Sequence, residues 1–169
     1  MKISNQQESS KIEGWIVGFT DGEGCFSVSL FKNRTTSSGW QVFPEFVITQ
    51  GKKSLPALEI FRKYFDCGKI YINKRYDNHN EHLYRYCVRN IADLEQKIIP
   101  FFRKHPLKTA KKKDFEIFAR IVEMLIDKVH LSENGLIKIA KKIEKMNRKK
   151  ASRFLKSSEA IRHTSLKRG

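Results

Sequence analysis

The sequence is 169 residues long, with 40% hydrophobic and 31% charged residues, a size and composition typical of a folded domain and not of a disordered chain. It contains 34 Lys and Arg against 18 Asp and Glu, so the formal net charge is +16 and a polyanionic partner is expected. Cys25, Cys67 and Cys87 lie too far apart to indicate a disulfide framework or a paired-cysteine zinc site. They favour a reducing, intracellular compartment, either an organelle or a bacterial cytoplasm.

Two further classes of protein are disfavoured by what the sequence lacks. It has no run of about 18 apolar residues, and Met1–Lys11 is polar, so we expect neither a membrane span nor a secretion signal. It has no phosphate-binding GxxxxGK[ST] loop, so we expect no nucleotide cofactor. The charge is concentrated in Lys141–Gly169, which holds eleven basic and two acidic residues. We therefore expect one domain over residues 1–147 and a basic C-terminal tail over residues 148–169.

The first predicted elements are a helix over Ser10–Gly22, a strand over Cys25–Lys32 and a strand over Trp40–Gln50. Apolar residues at helical spacing predict the helix, and Gly22 with Gly24 is expected to end it. The polar, Ser/Thr-rich segment Asn33–Gly39 predicts a turn between the two strands. Pro44 indicates that the second strand is irregular or lies near a sheet edge.

The remaining predicted elements are a helix from Ser54 to Gly68, strands over Lys69–Arg75 and His82–Arg89 joined by the turn Tyr76–Glu81, a helix from Asn90 to Pro100, and helices over Phe115–Val129 and Leu136–Met146. Ser54 and Asn90 are residue types that cap helix N-termini, and Pro100 is expected to end the helix that Asn90 begins. The order helix, two strands, helix, two strands, then helices predicts an α+β layer, with helices on one face of the sheet.

The other face of the sheet is expected to carry hydrogen-bonding, aromatic and basic side chains. Alternation in the second strand places Glu45, Val47 and Thr49 on it. Such a mixture suits contacts with base edges and phosphates in a DNA groove, although an ordinary solvent-facing surface is the alternative. The candidate DNA-contacting residues are Ser27, Ser29, Phe31, Lys32, Arg34, Gln41, Phe43, Glu45, Thr49, Tyr71, Asn73, Arg75, Arg85 and Arg89.

The segment WIVGFTDGEGCF, Trp15–Phe26, carries the candidate chemistry. Three glycines recur at four-residue spacing, namely Gly14, Gly18 and Gly22. They leave one stripe of the helix without Cβ atoms, so a second helix, from this chain or another, can approach closely. Asp21 and Glu23 are expected just past the helix C-terminus, where the helix carbonyls already carry partial negative charge, and this favours a bound cation over a simple surface turn.

This segment resembles the signature motif of the LAGLIDADG homing endonucleases. Further matches at Val47–Gln50, Phe65–Ile70 and Pro106–Phe118 extend the resemblance over roughly Glu13–Val129. The resemblance implies an αββαββα-type fold with a four-stranded antiparallel saddle sheet, and a chain with one motif that acts as a homodimer. The implied function is metal-dependent cleavage of both strands of a long, nearly palindromic double-stranded DNA target, with a role in intron homing. An RNA-binding intron maturase or a cleavage-dead DNA-binding protein of the same fold is the alternative.

The resemblance also assigns roles to individual residues. It implies Glu23 as the metal ligand, where the family more often has Asp, together with the carbonyl of Gly22 and with Mg²⁺ as the ion. Mn²⁺ is the expected substitute, and Ca²⁺ is expected to bind without efficient turnover. The implied catalytic set is Glu23, Gln50, Lys111, Lys108 as second choice for the same lysine, and Lys53. The implied dimer interface is Gly14, Trp15, Gly18, Phe19, Asp21 and Gly22.

Overall fold

The structure is a computed structural model that describes residues 2–74, 82–146 and 154–155. Its elements are α1 (Lys2–Glu23), β1 (Gly24–Lys32), β2 (Trp40–Gly51), α2 (Leu55–Phe65), β3 (Lys69–Asn73), β4 (Leu83–Val88), α3 (Ile91–Asp93), α4 (Ile99–Lys104), α5 (Lys111–Ile126) and α6 (Glu133–Met146). Short 3-10 turns occupy Lys52–Ser54 and Val129–Leu131, and a π turn occupies Leu94–Ile98. This order confirms the predicted succession of helices and strands.

The four strands form one sheet in the order β1-β2-β4-β3, which confirms the predicted α+β class. β2 runs antiparallel to β4, from the pair Phe46 and Val88 to the pair Gly51 and Leu83. β3 is also antiparallel to β4, from Lys69 opposite Cys87 to Asn73 opposite Leu83. β2 and β4 are therefore the inner strands. Arg75 and the predicted turn Tyr76–Glu81 lie outside the described residues.

The chain divides into two compact units. One contains the residues up to Phe26 together with Glu45–Lys112, and the other contains Ser27–Pro44 together with the described residues from Lys113 onward. The core of the first unit is aromatic. The ring of Phe46 lies 5.6 Å from that of Phe102 and 6.3 Å from that of Tyr86, and the ring of Phe61 lies 6.1 Å from that of Tyr86. Ile16 of α1 is fully buried in the same unit, so the motif helix is anchored there.

The second unit has a separate cluster around α6. Leu136, Ala140 and Phe154 are buried together, with Leu30 and Trp40 packed against them. The Phe154 ring lies edge-on to the Trp40 ring at 5.0 Å. Phe154 falls in the segment predicted as a tail. Its contact with Trp40 shows that at least this residue of the segment packs in the folded protein. Residues 147–153 and 156–169 lie outside the described residues, and the domain boundary at residue 147 stays a prediction.

The motif helix differs from its prediction at both ends. α1 begins at Lys2, eight residues before Ser10, and continues through Gly22 to Glu23. The next residue, Gly24, already belongs to β1. A Cβ atom at Gly24 would lie 2.7 Å from Cγ2 of Thr20 and 2.9 Å from its carbonyl oxygen. The absence of a side chain at Gly24 therefore allows the chain to pass directly from helix to strand.

The prediction that Pro100 ends a helix is wrong. Asn90 caps α3 as predicted, since its Oδ1 accepts from the amides of Ala92 at 2.9 Å and Asp93 at 3.2 Å. Helical structure then continues through the π turn into α4, where Pro100 occupies the first turn. A proline lacks an amide hydrogen and is tolerated in a first turn, and the wider π turn before it allows the chain to continue as a helix.

The placement of Pro44 near an edge is also wrong, because β2 is an inner strand. Pro44 precedes the β2–β4 ladder, which begins at Phe46, so its missing amide removes no bond of that ladder. The segment Pro44–Ile48 is buried at every position instead of alternating.

Among the residues that the structure describes, no helix is both long and apolar enough to cross a bilayer.

Candidate active site and nucleic-acid interface

The end of α1 presents an exposed carboxylate beside exposed backbone. Glu23 is the last residue of the helix and Gly22 precedes it, and both are exposed. Thr20, one turn earlier, is fully buried, which fixes the position of this helix end. Asp21 and Glu23 thus lie within the last helical turn, and the prediction that they follow the helix C-terminus is wrong. They stand where the carbonyls at the helix C-terminus concentrate negative potential.

Lys111 brings a positive charge to this helix end. Its ammonium group donates to the carbonyl oxygens of Thr20 at 2.8 Å, Asp21 at 3.0 Å and Gly22 at 3.4 Å. A cation at a helix C-terminus is favourable because it meets the negative end of the helix dipole. Of the candidate lysines, Lys111 thus contacts the acidic motif with its side-chain ammonium group. Lys108 contributes its backbone amide, and Lys53 is exposed in the 3-10 turn after β2.

Asp21 fixes the segment that leads to Lys111. Its carboxylate accepts from the amides of Lys108 at 2.7 Å and Thr109 at 3.2 Å, and from the Thr109 hydroxyl at 2.7 Å. Burial by itself would raise the pKa of Asp21, but these hydrogen bonds and the charge of Lys111 outweigh it and lower the pKa. Asp21, predicted at a dimer interface, is therefore engaged within its own chain.

Asp21→Ala is expected to lower the unfolding free energy by about 1 kcal/mol at neutral pH, because it removes the acceptor of three hydrogen bonds at a partly exposed site. The pKa of Asp21 is lower in the folded than in the unfolded state. Its contribution is therefore full above the unfolded pKa, near 4, and is lost as the pH falls through the lowered folded value.

Denaturant titrations of parent and variant across acidic pH would measure this effect. The two stabilities should converge as the pH falls below about 4. Exposed Asp127 provides the matched control, and Asp127→Ala should not change the acid dependence. An unchanged acid profile in Asp21→Ala would contradict the proposed role of the hydrogen bonds.

The oxygen atoms at the end of α1 that could ligate a metal suit a hard divalent cation, but they are few. They are the exposed Glu23 carboxylate and the Gly22 carbonyl, both oxygen ligands of the kind that Mg²⁺ and Ca²⁺ prefer. Within the described ranges of this chain, His, Cys, Asp and Glu form no group of three that could hold a metal ion. The chemistry of these two donors thus fits a hard divalent cation.

The glycine stripe faces open space in the single chain. A Cβ atom built on Gly14, Gly18 or Gly22 meets no heavy atom of the described residues within 4 Å. Gly14 and Gly18 line a groove of about 390 Å³ together with Asp21 and the segment that contains His105. The bare backbone is therefore not used for packing within this unit.

Trp15 and Phe19 flank the stripe and are half-buried. Their ring centres lie 5.0 Å apart, and the ring centres of Trp15 and Phe19 lie 5.5 Å and 5.6 Å from that of Phe61 on α2. These contacts orient α1 relative to α2 within the first unit. The place of Trp15 and Phe19 in a dimer interface stays a prediction.

The sheet face predicted to bind DNA divides between the two units. In the first unit, the register places Thr49 opposite Arg85 and Tyr71 opposite Arg85 on one face. Tyr71, Asn73 and Arg89 are exposed, and Thr49 and Arg85 are half-buried. Gln50, at the end of β2, pairs with Tyr84 and is half-buried.

Glu45 and Val47 are not exposed as alternation predicted. Glu45 is 8% exposed because its carboxylate is paired with Arg85 and Arg89, and Val47, opposite Cys87, is 5% exposed. Burial by itself would lower the pKa of Arg89, but the hydrogen bond and charge of Glu45 raise it.

The second unit carries the remaining candidates, on β1, β2 and the turn between them. Phe31 and Phe43 pack with ring centres 6.2 Å apart, and Gln41 accepts from the Asn33 side chain at 2.7 Å. Lys32 lies 5.8 Å from the Trp40 ring centre. The exposed candidates here are Ser29, Phe31, Lys32 and Arg34, and the half-buried ones are Ser27, Gln41 and Phe43.

Sequence reasoning missed two features of the site. Thr109, which bonds Asp21, was not singled out, and its position in a short segment before a helix was the available signal. Glu45 was predicted to face DNA, whereas it holds two arginines. The signal for this pairing was the opposite charge of residues that face each other across β2 and β4.

Comparisons with known proteins agree with the motif resemblance. A family model described as LAGLIDADG endonuclease matches residues 16–122. A probable intron-encoded endonuclease of Neurospora crassa is 35% identical over 125 residues, covering 74% of this chain and 27% of its own length. The chain thus spans about a quarter of that curated relative.

Solved structures extend the similarity to the fold. The homing endonuclease I-TnaI is 42% identical with a TM-score of 0.76, covering 88% of this chain and 97% of its own. I-SmaMI, bound to an uncleaved DNA target in the presence of calcium ions, is 32% identical with a TM-score of 0.75. That match covers 84% of this chain and 47% of the I-SmaMI chain.

Proposed function

Because the chain belongs to the LAGLIDADG endonuclease family, we propose that it is a site-specific homing endonuclease that cleaves both strands of double-stranded DNA. One observation carries the proposal. The Lys111 ammonium is held by the carbonyls of Thr20, Asp21 and Gly22 at the end of α1, the helix whose last residue is the exposed Glu23. An acid and a cation on an exposed helix end suit phosphodiester hydrolysis, in which negative charge develops on the phosphate and leaving oxygens.

The chain's own residues have separable tasks in this proposal. Glu23 and the Gly22 carbonyl hold a divalent cation, for which Mg²⁺ is the proposed ion and Mn²⁺ the substitute. When bound, that cation supplies a more acidic water and neutralises charge on the phosphate oxygens. Lys111 adds positive charge near the same phosphate, and Asp21 holds the segment that places Lys111. Gln50 is the candidate for orienting water, and the roles of Lys108 and Lys53 are secondary.

A homodimer completes the site. One chain presents one acidic motif and an unpacked glycine stripe, so two copies paired along Gly14, Gly18 and Gly22 would supply two carboxylates for two scissile phosphates. The two-fold symmetry of such a dimer matches a nearly palindromic target. Cleavage of both strands would follow without a second motif in the same chain.

The sheet face is proposed to lie along the major groove, and binding is expected to depend strongly on salt. If each subunit neutralises about five phosphates, log affinity should fall against log salt with a slope near −9, at about −0.9 per phosphate. Fluorescence anisotropy of a labelled duplex over a salt series measures the slope. A slope shallower than about −3 would contradict an extended protein–phosphate interface.

The activity test begins with target selection, since the target sequence is not known. A randomised duplex library is selected for binding in Ca²⁺, and the enriched sequence is cloned into a supercoiled plasmid. Linear product in Mg²⁺, and none in EDTA, supports the endonuclease. Specific binding without product in Mg²⁺ or Mn²⁺ would instead indicate a DNA-binding protein that does not cleave. Failure to enrich any sequence would contradict specific DNA binding.

A further inference from the structure

Two arginines on the sheet converge on one carboxylate. Nη2 of Arg85 donates to Oε1 of Glu45 at 3.1 Å, and Nε of Arg89 donates to Oε2 of the same side chain. Arg85 lies on β4 and Arg89 directly follows this strand, whereas Glu45 lies on the adjacent inner strand β2. The shared carboxylate therefore holds the two guanidinium groups side by side.

The arginines cover the carboxylate from solvent. The side chain of Glu45 is 11% exposed, whereas those of Arg85 and Arg89 are 34% and 38% exposed. A molecule that approaches this face meets the guanidinium groups first. Glu45 could touch it directly only after both ion pairs had opened, and this would leave a nearly buried carboxylate unpaired.

Arg89 is held from further directions. Its guanidinium carbon lies 5.1 Å from the ring centre of Tyr71 on β3, and its Nη2 lies 3.9 Å from the sulfur of Cys87. A free arginine side chain loses rotamer entropy when it is fixed. Because Glu45 and Tyr71 already restrict these side chains, less of that cost falls on binding.

The chemistry of the cluster favours a base over a phosphate as its target. Two arginines and one glutamate have a net charge of +1, so the cluster attracts phosphate less than two unpaired arginines would. The planar, forked N–H donors of a guanidinium also match the geometry of a neutral acceptor pair. Guanine offers such a pair in the major groove, at O6 and N7.

We propose that Glu45 is a positioning residue that fixes Arg85 and Arg89 to read guanine in the major groove, and that it does not itself contact DNA. This inference rests on the proposed function, because it requires the sheet face to bind a DNA target. It assigns a base preference to one cluster of the sheet. The neighbouring position Cys87, on the same face, packs beneath Arg89 in this assignment.

The test measures base preference with the full chain. Parent and Glu45→Gln are each selected on the randomised duplex library, and affinities are then measured for all four bases at every position of the enriched site. The parent is expected to prefer guanine at one or two neighbouring positions by roughly five- to a hundredfold, which corresponds to a bidentate arginine contact. Glu45→Gln should reduce that preference to less than about threefold.

Base contacts and phosphate contacts also differ in how binding depends on salt. Glu45→Gln adds one positive charge per chain, so affinity for unrelated duplex should rise and the salt slope should steepen by up to about 0.9 per chain. Arg85→Lys and Arg89→Lys keep the charge but lose the planar fork. They should therefore lose the guanine preference without a change in salt slope. If circular dichroism shows that Glu45→Gln does not fold, the two lysine variants test the same guanine preference.

Glu59 provides the matched control, because it pairs with Arg62 on α2 at an exposed site. Glu59→Gln should leave both readouts unchanged. An unaltered guanine preference in Glu45→Gln would overturn the inference and leave the proposed function intact. So would a preference for cytosine that disappears with Glu45, since this would indicate direct acceptance from the cytosine amino group. A parent without any sequence preference would overturn the inference and specific DNA recognition together.

Discussion

Glu23→Gln is expected to abolish strand cleavage while leaving DNA binding in EDTA as tight as that of the parent, or tighter. The Glu23 carboxylate is exposed at the C-terminus of α1, where the helix dipole adds negative potential. Without metal it repels the phosphate, and with a divalent cation it would be a ligand. The amide keeps the shape of the side chain and removes the charge, so the variant should gain affinity and lose turnover.

Two assays on the selected site separate these effects. Anisotropy in EDTA measures affinity, and plasmid linearisation in Mg²⁺ measures cleavage, with Ca²⁺ expected to support binding by the parent with little product. Exposed Glu8, on the same helix, provides the control, and Glu8→Gln should cut at the parental rate. Cleavage by Glu23→Gln above a few per cent of that rate would transfer the catalytic role to another residue, and Asp21→Asn would be tested next.

The elements of the fold were predictable where local pattern and burial agree. The alternation of the apolar Phe26 and Val28 with the polar Ser27 and Ser29 identified β1, and the Asn90 cap identified the start of α3. The N-terminal extension of α1 was not predicted, because residues 2–9 are polar apart from Ile3 and carry no apolar period. The prediction at Pro100 failed because a proline stops a regular α-helix, whereas the π turn before it changes the hydrogen-bonding pattern of the backbone.

The components of the site were predictable, but their pairing was not. The sequence identifies an acidic motif and several lysines, yet the choice between Lys108 and Lys111 depends on the path of the segment that Asp21 holds. Glu45 shows the same limit. Alternation gives the face of a strand, but the burial of a charge on that face depends on which side chains of β4 lie across from it.

Gly18→Leu is expected to convert a dimer into a monomer and to abolish cleavage without unfolding the chain. A Cβ atom at Gly18 meets no heavy atom of the described residues within 4 Å, and the groove of about 390 Å³ that Gly18 lines offers a leucine side chain space in the monomer. Replacing glycine within a helix should also favour α1 by up to about 1 kcal/mol. In a dimer whose α1 helices approach through the glycine stripe, the same leucine would separate the two backbones and their Glu23 carboxylates.

Sedimentation of the free proteins measures the change. The parent should sediment at twice the chain mass and Gly18→Leu at the chain mass, while thermal unfolding of the variant should show a folded protein. Glu8→Leu, an equally bulky change at an exposed position of α1 outside the glycine stripe, should remain dimeric and active. Gly24→Ala gives the opposite contrast, because its methyl group would lie 2.7 Å from Thr20 and should disturb the fold itself. A Gly18→Leu protein that stays dimeric and cuts both strands would show that the unpacked glycines are not the interface, because a leucine cannot be accommodated where two helix backbones touch.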